Sequence, residues 1–543
     1  MMKLFFQSKL LIFLLLIVSV LMQSHIILNE DMLWLVTATQ RLLAGGSYVN
    51  NFFETNPPLI LYLYTPAVLL VKYIHVTIGV AIYSLTFFIG IVSLLLSYLI
   101  LEKFINDKLT VNLLMISLLI IYFILPMYSF AEREHLMIML VMPYILLSAA
   151  HDQVCVKKLV RAFIGISAAL GFCIKPYFVF TPLFIEILFL IKYRNIKILF
   201  RYELVFLVAT SIIYVIAVYF ITPSYLSVII PYDINFYTGF ESVSKLSLFS
   251  SPFIAVSIVI FINTIFTCFL FKKYSHFILI LLLSIAGLFL AYFIPGQPWY
   301  YHLLPMYSVA VFSAVLCFLL LAKNMNNVFS LKKHMLFLFN FFVSVFILFF
   351  LVSIIGENVL AGLEESRAIT SSDGVMLKSI EHSDAAYYNT LIKYVKKNQS
   401  IKSIYFFSSH LETSTLSYYS NVKNASRFPS FWMLPKMFVL RKNQQRLSVT
   451  DNKRLNKAIT FIQQAVVEDF NQNKPDLVIL RQENSIVFLS FFLENSRFKK
   501  IWHHYHYAQN IGIYNLYLRD NHAIARLWIL RATFKQVLVT RIF

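Results

Sequence analysis

Apolar stretches of membrane-spanning length recur from Leu10 to about Ile355, and this leaves the chain few ways to fold. In lipid every backbone N–H and C=O must be satisfied within its own segment, so such runs are read as helices. Composition agrees. Of 543 residues, 59% are hydrophobic and only 13% charged, with a mean hydropathy of +0.73, which excludes a soluble globular domain. The formal net charge of +20 need not mean nucleic acid, because the basic residues cluster in short loops between apolar runs, as cytoplasmic loop charge does. Four cysteines (Cys155, Cys173, Cys268 and Cys317) suggest no disulfide framework, and no Cys/His cluster has metal-ligand spacing. Lys3 and Lys9 precede the first apolar run without a cleavage pattern, so that run reads as a first transmembrane helix.

Candidate spans cover roughly 10–28, 77–101, 109–127, 135–150, 160–174, 177–192, 203–221, 251–271, 276–294, 302–322 and 335–355. Segment 58–74 decides the orientation. If it does not cross, the basic loops "EKFINDK", "VKKLVR", "KYRNIKILFR", "FKKYS" and "NNVFSLKKH" all lie with the N-terminus on the cytoplasmic side. If it does cross, all of them are external. The first choice makes 58–74 an interfacial or re-entrant helix, broken by Pro57, Pro58 and Pro66. The expectation is a polytopic α-helical membrane protein of about 11 spans, in the plasma (bacterial inner) membrane, its N-terminus cytoplasmic and its C-terminus external.

After Gly356 the pattern changes. "SIYFFSS" and "PDLVIL" read as buried strands, "NKRLNKAITFIQQAVVEDF" as an amphipathic helix and "IGIYNLYLR" as a late strand. Residues 1–355 are therefore expected to form the transmembrane domain, with a first external loop at 29–76. Residues 356–543 are expected to form an extracytoplasmic α/β domain, ending in a basic amphipathic stretch over 522–543.

This topology gathers Glu30, Asp31, Glu54, Glu132, Arg133, Glu134, Lys175, Asp233, Glu241 and His302 on one face. Both signs converge, as a site handling a phosphate and a hydroxyl requires: cations hold a departing phosphate, and a carboxylate accepts the hydroxyl proton. Each group also has an ordinary structural account. Asp31 suits a helix N-cap, with Gly45–Gly46 closing the same helix. The charges of "SFAEREHLMIML" suit a helix end at the interface. Lys175, in "GFCIKPYFVF", suits snorkelling, although an intramembrane charge costs about 2.5–3.5 kcal/mol and is seldom idle. "PGQPWYYHLLPMY", with Tyr301 and His302, suits an aromatic belt.

Taken in order, these places resemble the GT-C superfamily of polyprenyl-phosphate-sugar-dependent glycosyltransferases, in particular aminoarabinose transferases and protein O-mannosyltransferases. The matching features are an acid just after the first span (Asp31), a glycine-terminated helix (Gly46), "FETNPP" for the family's F-E-x-P-P turn, an acid opening a later span (Glu134), a hairpin lysine (Lys175) and "YYHLLP" entering a late span. The resemblance covers roughly residues 1–322. It implies an inverting transfer from a polyprenyl-phosphate-linked sugar donor to a glycan, lipid or protein acceptor on the extracytoplasmic face. Catalytic candidates are Asp31 as base, Glu30 beside it and Glu134. Substrate-binding candidates are Lys175, Arg133, Tyr301, His302 and Glu54. A divalent cation, Mg²⁺ or Mn²⁺, is compatible with carboxylates near phosphate, and no nucleic acid is expected. The alternatives are a transporter or flippase of lipid-linked sugars, or an O-antigen polymerase or ligase. Neither the sugar nor the acceptor is legible.

Overall fold

The computed structural model describes residues 2–25, 28–237, 247–324, 335–353, 356 and 382–520. Glu241 and the basic stretch 522–543 lie outside these. The chain divides into two compact units: Met1–Ala44, Thr55–Val228 and Glu241–Thr370 in the first, and Gly45–Glu54, Ile229–Phe240 and Ser371–Phe543 in the second.

The first unit is helical and built to lie in a membrane. Among the described residues seven helices are long and apolar enough to cross: Ile78–Phe104, Pro176–Tyr193, Tyr202–Ile221, Pro252–Leu270, Lys272–Phe293, Tyr300–Lys323 and Met335–Ser353. Shorter apolar helices cover Leu10–Ser24, Leu59–Ile74 and Lys108–Phe123. We name the helices that matter below α1 (Met2–His25), α2 (Glu30–Leu43), α3 (Leu59–Ile74), α4 (Ile78–Phe104), α5 (Lys108–Phe123), α6 (Arg133–Ala149), α7 (Lys158–Phe172), α8 (Phe180–Tyr193) and α9 (Tyr202–Ile221). A short helix, α10 (Ile230–Phe236), follows, then α11 (Pro252–Leu270), α12 (Ser275–Phe293) and α13 (Tyr300–Lys323).

Every residue of α6 is buried, and α6 packs against α4, α7, α12 and α13. At the periphery the sign reverses. On α9 the exposed residues include Ile212, Ile213, Val215, Ile216, Tyr219, Phe220 and Ile221, an apolar face that only lipid solvates without cost. Close helix crossings use small residues. A Cβ on Gly165 of α7 would stand 2.2 Å from the Glu203 carbonyl oxygen of α9, so only glycine permits that approach.

The path of the chain fixes where α3 runs. Gly79, at the start of α4, lies against Leu28, which follows α1, while the far end of α4 stacks Phe104 on Phe277 near the start of α12. α5 returns, and the Phe123 carbonyl accepts from Gln23 Nε2 of α1 at 3.2 Å. The start of α4 and the end of α5 therefore sit at the same end of the bundle as the end of α1. The Tyr64 hydroxyl of α3 donates to the Ala131 carbonyl just before α6, at 2.7 Å. α3 stays at this end while its neighbours run away and back. His75, with φ +60°, and the Thr77 cap separate it from α4.

The second unit carries a five-stranded sheet in the order β2-β1-β3-β5-β4, with β1 (Ser403–Phe407), β2 (Lys423–Asn424), β3 (Leu477–Arg481), β4 (Tyr505–Ile511) and β5 (Tyr514–Arg519). β2, β1 and β3 are parallel; β5 is antiparallel to β3 and to β4. "IGIYNLYLR" is thus the tip of a hairpin and its second strand, turning at Gly512 (φ +56°). Phe407, Phe431, Phe470, Phe492 and Phe498 form an aromatic core. Two stretches from the first half of the sequence belong to this unit. Arg427 Nη1 donates to the Val49 carbonyl at 3.2 Å, the Phe53 amide donates to the Arg427 carbonyl at 2.7 Å, and the Phe53 ring packs on Tyr232, Phe428 and Phe461.

Candidate active site

Four distant parts of the first unit meet at the end of the bundle where α3 lies. The first is the start of α2. Its N-cap is Asn29, not Asp31: the Asn29 Oδ1 accepts from the Asp31 amide at 2.8 Å and the Met32 amide at 3.3 Å. The ordinary structural account of Asp31, as the cap of this helix, is therefore filled by its neighbour. With the orphan amides satisfied by Asn29, the Asp31 carboxylate is available for other partners. Its side chain keeps 22% exposure and accepts from Arg133 Nη2 at 2.9 Å.

The second part is the turn into α6. Ala131 adopts φ +69°, a conformation costing an L-residue roughly 1–2 kcal/mol. Two hydrogen bonds hold it there: its carbonyl accepts from Tyr64, and its amide donates to His135 Nδ1 at 3.0 Å. His135 Nε2 then faces the Tyr122 carbonyl at 2.6 Å, which fixes the neutral ring with its proton on Nε2. This turn places Glu132, Arg133 and Glu134, all buried. Glu132 Oε1 accepts from Asn29 Nδ2 at 2.6 Å, and burial, reinforced by the nearby Asp31 charge, raises the pKa of its carboxyl well above the ordinary value.

The third part is the break between α7 and α8. The proline after it confines Lys175 to extended backbone (φ −142°, ψ 134°), and Pro176 starts a short 3₁₀ turn. The Lys175 ammonium reaches Glu134 Oε1 at 2.5 Å. The fourth is the start of α13. His302 Nδ1 lies 3.1 Å from the same Glu134 oxygen, while its Nε2 has no hydrogen-bond partner among the described residues. Trp299, Tyr301 and His302 stack together, and the Tyr301 ring lies under both Arg133 (5.4 Å) and Lys175 (5.6 Å).

The arrangement gathers Asp31, Arg133, Glu134, Lys175, Tyr301 and His302. Glu30 shares the first turn of α2 with Asp31. Glu54 is buried in the second unit. Sequence reasoning gave Asn29 and Glu132 no role. An asparagine directly before "ED" was the available signal for the first, and the leading charge of "EREH" for the second. Chemically, Glu134 anchors two cationic side chains and the histidine, Arg133 bridges Glu134 (3.7 Å) and Asp31, and of these two carboxylates Asp31 is the one that reaches solvent. Among the described residues no group of three or more His, Cys, Asp or Glu side chains could hold a metal ion.

No protein-family model matches this chain, and no curated protein matches it. The fold, however, has solved counterparts. It is similar to ArnT from Cupriavidus metallidurans in the apo state, with a TM-score of 0.54 and 9% identity, over 94% of this chain and 98% of that one. It is also similar to the same protein bound to undecaprenyl phosphate, with a TM-score of 0.51 and 9% identity, over 93% and 97%. The chain has a GT-C-like fold: a polytopic helical membrane protein with a C-terminal α/β region.

Proposed function

We propose that this chain is an integral membrane glycosyltransferase that moves a sugar from a polyprenyl-phosphate donor to an acceptor hydroxyl, with inversion, at the outer boundary of the plasma membrane. The observation that carries it is the meeting of Asp31, Arg133, Glu134, Lys175 and His302, drawn from four distant segments, at one end of the helical bundle. The fold shared with ArnT, of which one structure holds undecaprenyl phosphate, supports the donor class.

In this reading Asp31 takes the proton of the acceptor hydroxyl, whose oxygen attacks the anomeric carbon. The bond from that carbon to the phosphate oxygen breaks, and the electron pair leaves with the polyprenyl phosphate. Arg133 and Lys175 neutralise that charge, and His302 Nε2 adds a hydrogen bond. Each cation is already desolvated and oriented by Glu134, so little reorganisation accompanies the reaction. The second unit and the segment 58–74 would lie on the external side, with the basic loops in the cytoplasm.

The test is Asp31→Asn in a deletion strain. General-base loss costs about 10²–10⁴ in rate, so the glycan absent from the deletion strain should stay absent, with the variant present at normal abundance. Full glycan output would remove Asp31 from the chemistry. Lipid analysis of the deletion strain should find a polyprenyl-phosphate sugar accumulating on the outer leaflet. Accumulation on the inner leaflet would mark a flippase instead.

A further inference from the structure

We infer that Asn29 and Glu132 form a positioning pair for Asp31, with Glu132 acting as a hydrogen-bond acceptor rather than as a charge. The inference rests on the reading of Asp31 as the base. Asn29 has one carbonyl and one amino face. Its carbonyl takes the Asp31 and Met32 amides, so its amino group must point away, and it meets Glu132 Oε1 at 2.6 Å. The flipped side chain would set an NH₂ against two N–H donors, so the network itself fixes the assignment. Glu132 is 2% exposed, and its second oxygen has no hydrogen-bond partner among the described residues. A buried carboxyl this poorly paired is costly to keep, and it follows directly on the left-handed Ala131 turn.

Consecutive residues thus grip the start of α2 at two points. Glu132 holds the backbone through Asn29, and Arg133 holds the Asp31 carboxylate. When a donor phosphate occupies Arg133, the second grip is shared with the ligand. The cap is then what keeps the Asp31 carboxylate aimed at the acceptor, in the state that reacts.

The experiment restores the deletion strain with full-length variants and reads glycan per amount of protein. It also measures binding of undecaprenyl phosphate, used as the probe, to the purified proteins. Glu132→Ala and Asn29→Ser should each lower output about ten- to hundredfold, the penalty of a misaimed catalytic group, with affinity for undecaprenyl phosphate unchanged. Serine still caps a helix but has no amino group for Glu132, so Asn29→Ser carries the test should Glu132→Ala fail to fold. Glu132→Gln, which keeps an acceptor oxygen, should restore output to near wild type.

Glu132→Gln as inactive as Glu132→Ala would mean that the charge matters and would overturn the inference. Full output from both Glu132→Ala and Asn29→Ser, or loss of probe binding in step with output, would overturn it as well. Asp31→Asn separates the two levels. If that variant is active, the base assignment falls and this inference with it. If it is inactive while Asn29→Ser is fully active, only the positioning role falls.

Discussion

Two buried ion networks sit at opposite ends of α6, and their wiring differs. At its start, Lys175 and His302 share a single oxygen of Glu134, Arg133 stands 3.7 Å from the other, and Asp31 is held by one hydrogen bond. Near its end, ten residues and about 15 Å further on, Arg161 clasps Glu203 through two bonds of 2.6 and 2.8 Å. Arg201 bridges Glu203 (3.1 Å) and Glu186 (2.5 Å), Tyr144 donates to Glu186 at 2.7 Å, and the Arg201 guanidinium lies 3.9 Å from the Phe189 ring centre. In both places one member is partly exposed. At the far network it is an arginine locked by a fork; at the near one it is a carboxylate on a single bond. Two arginines against two glutamates, closed by a bidentate contact, make a clamp between α6, α7, α8 and α9. Single contacts around one shared carboxylate are what the proposed function needs, since there an incoming anion would substitute for a partner.

The largest effect that separates the two should come from removing one negative charge at each. Asp31→Asn should cost at least about hundredfold in glycan output and leave the thermal midpoint of the purified protein unchanged. Glu203→Gln should do the reverse, lowering the midpoint while the protein that remains folded turns over normally. Output normalised to folded protein, read beside a melting curve, decides it. If both variants behave alike, the division into a working network and a clamp is wrong.

Second in size is Arg201→Leu. Removing one partner of a buried ion pair costs about 3–5 kcal/mol because the other charge is stranded, here on Glu186 and Glu203, which are 12% and 1% exposed at the side chain. Loss of folded yield in detergent is the expected outcome. Replacing Glu186, Arg201 and Glu203 together by apolar residues of similar size should recover much of that yield, since no uncompensated charge remains beyond Arg161, which can reach water. No recovery would mean that this network does more than hold helices.

The near network was partly legible in the sequence and the far one was not. Lys175 stood out because a lone lysine beside an apolar hairpin is out of place, and Asp31, Glu134 and His302 because they open helices on the face that the loop charges define. The cap was open to either residue in the sequence, because asparagine and aspartate both cap helices. The choice fell to Asn29 through Glu132, about a hundred positions away, which no local pattern encodes. In the far network Glu186 sits inside an apolar run and Glu203 just within another. Acids at such positions are a signal of buried pairing that hydropathy alone passes over. Hydropathy made the helices legible, and alternation with turn residues made β1, β3 and β5 legible. It did not show that Phe53 leaves the first loop to pack in the second unit, because an aromatic doublet reads the same on a loop as in a core.

The smallest effects should come from swaps that keep the charge. Arg161→Lys retains a cation but turns two parallel bonds to Glu203 into one, which should cost about 1 kcal/mol and show only as a lower midpoint. Lys175→Arg tests the opposite site. Its ammonium lies between the Tyr177 and Tyr301 rings, at 5.7 and 5.6 Å, with one short contact to Glu134. A guanidinium stacks on such rings and binds phosphate in a fork, so affinity for undecaprenyl phosphate should hold or rise. A product held more tightly leaves more slowly, so turnover should fall modestly while binding does not. That split between binding and turnover belongs only to a site that handles a leaving group. If Lys175→Arg instead lowers the midpoint alone, as Arg161→Lys does, then Lys175 is a clamp residue too and the contrast between the two ends of α6 disappears.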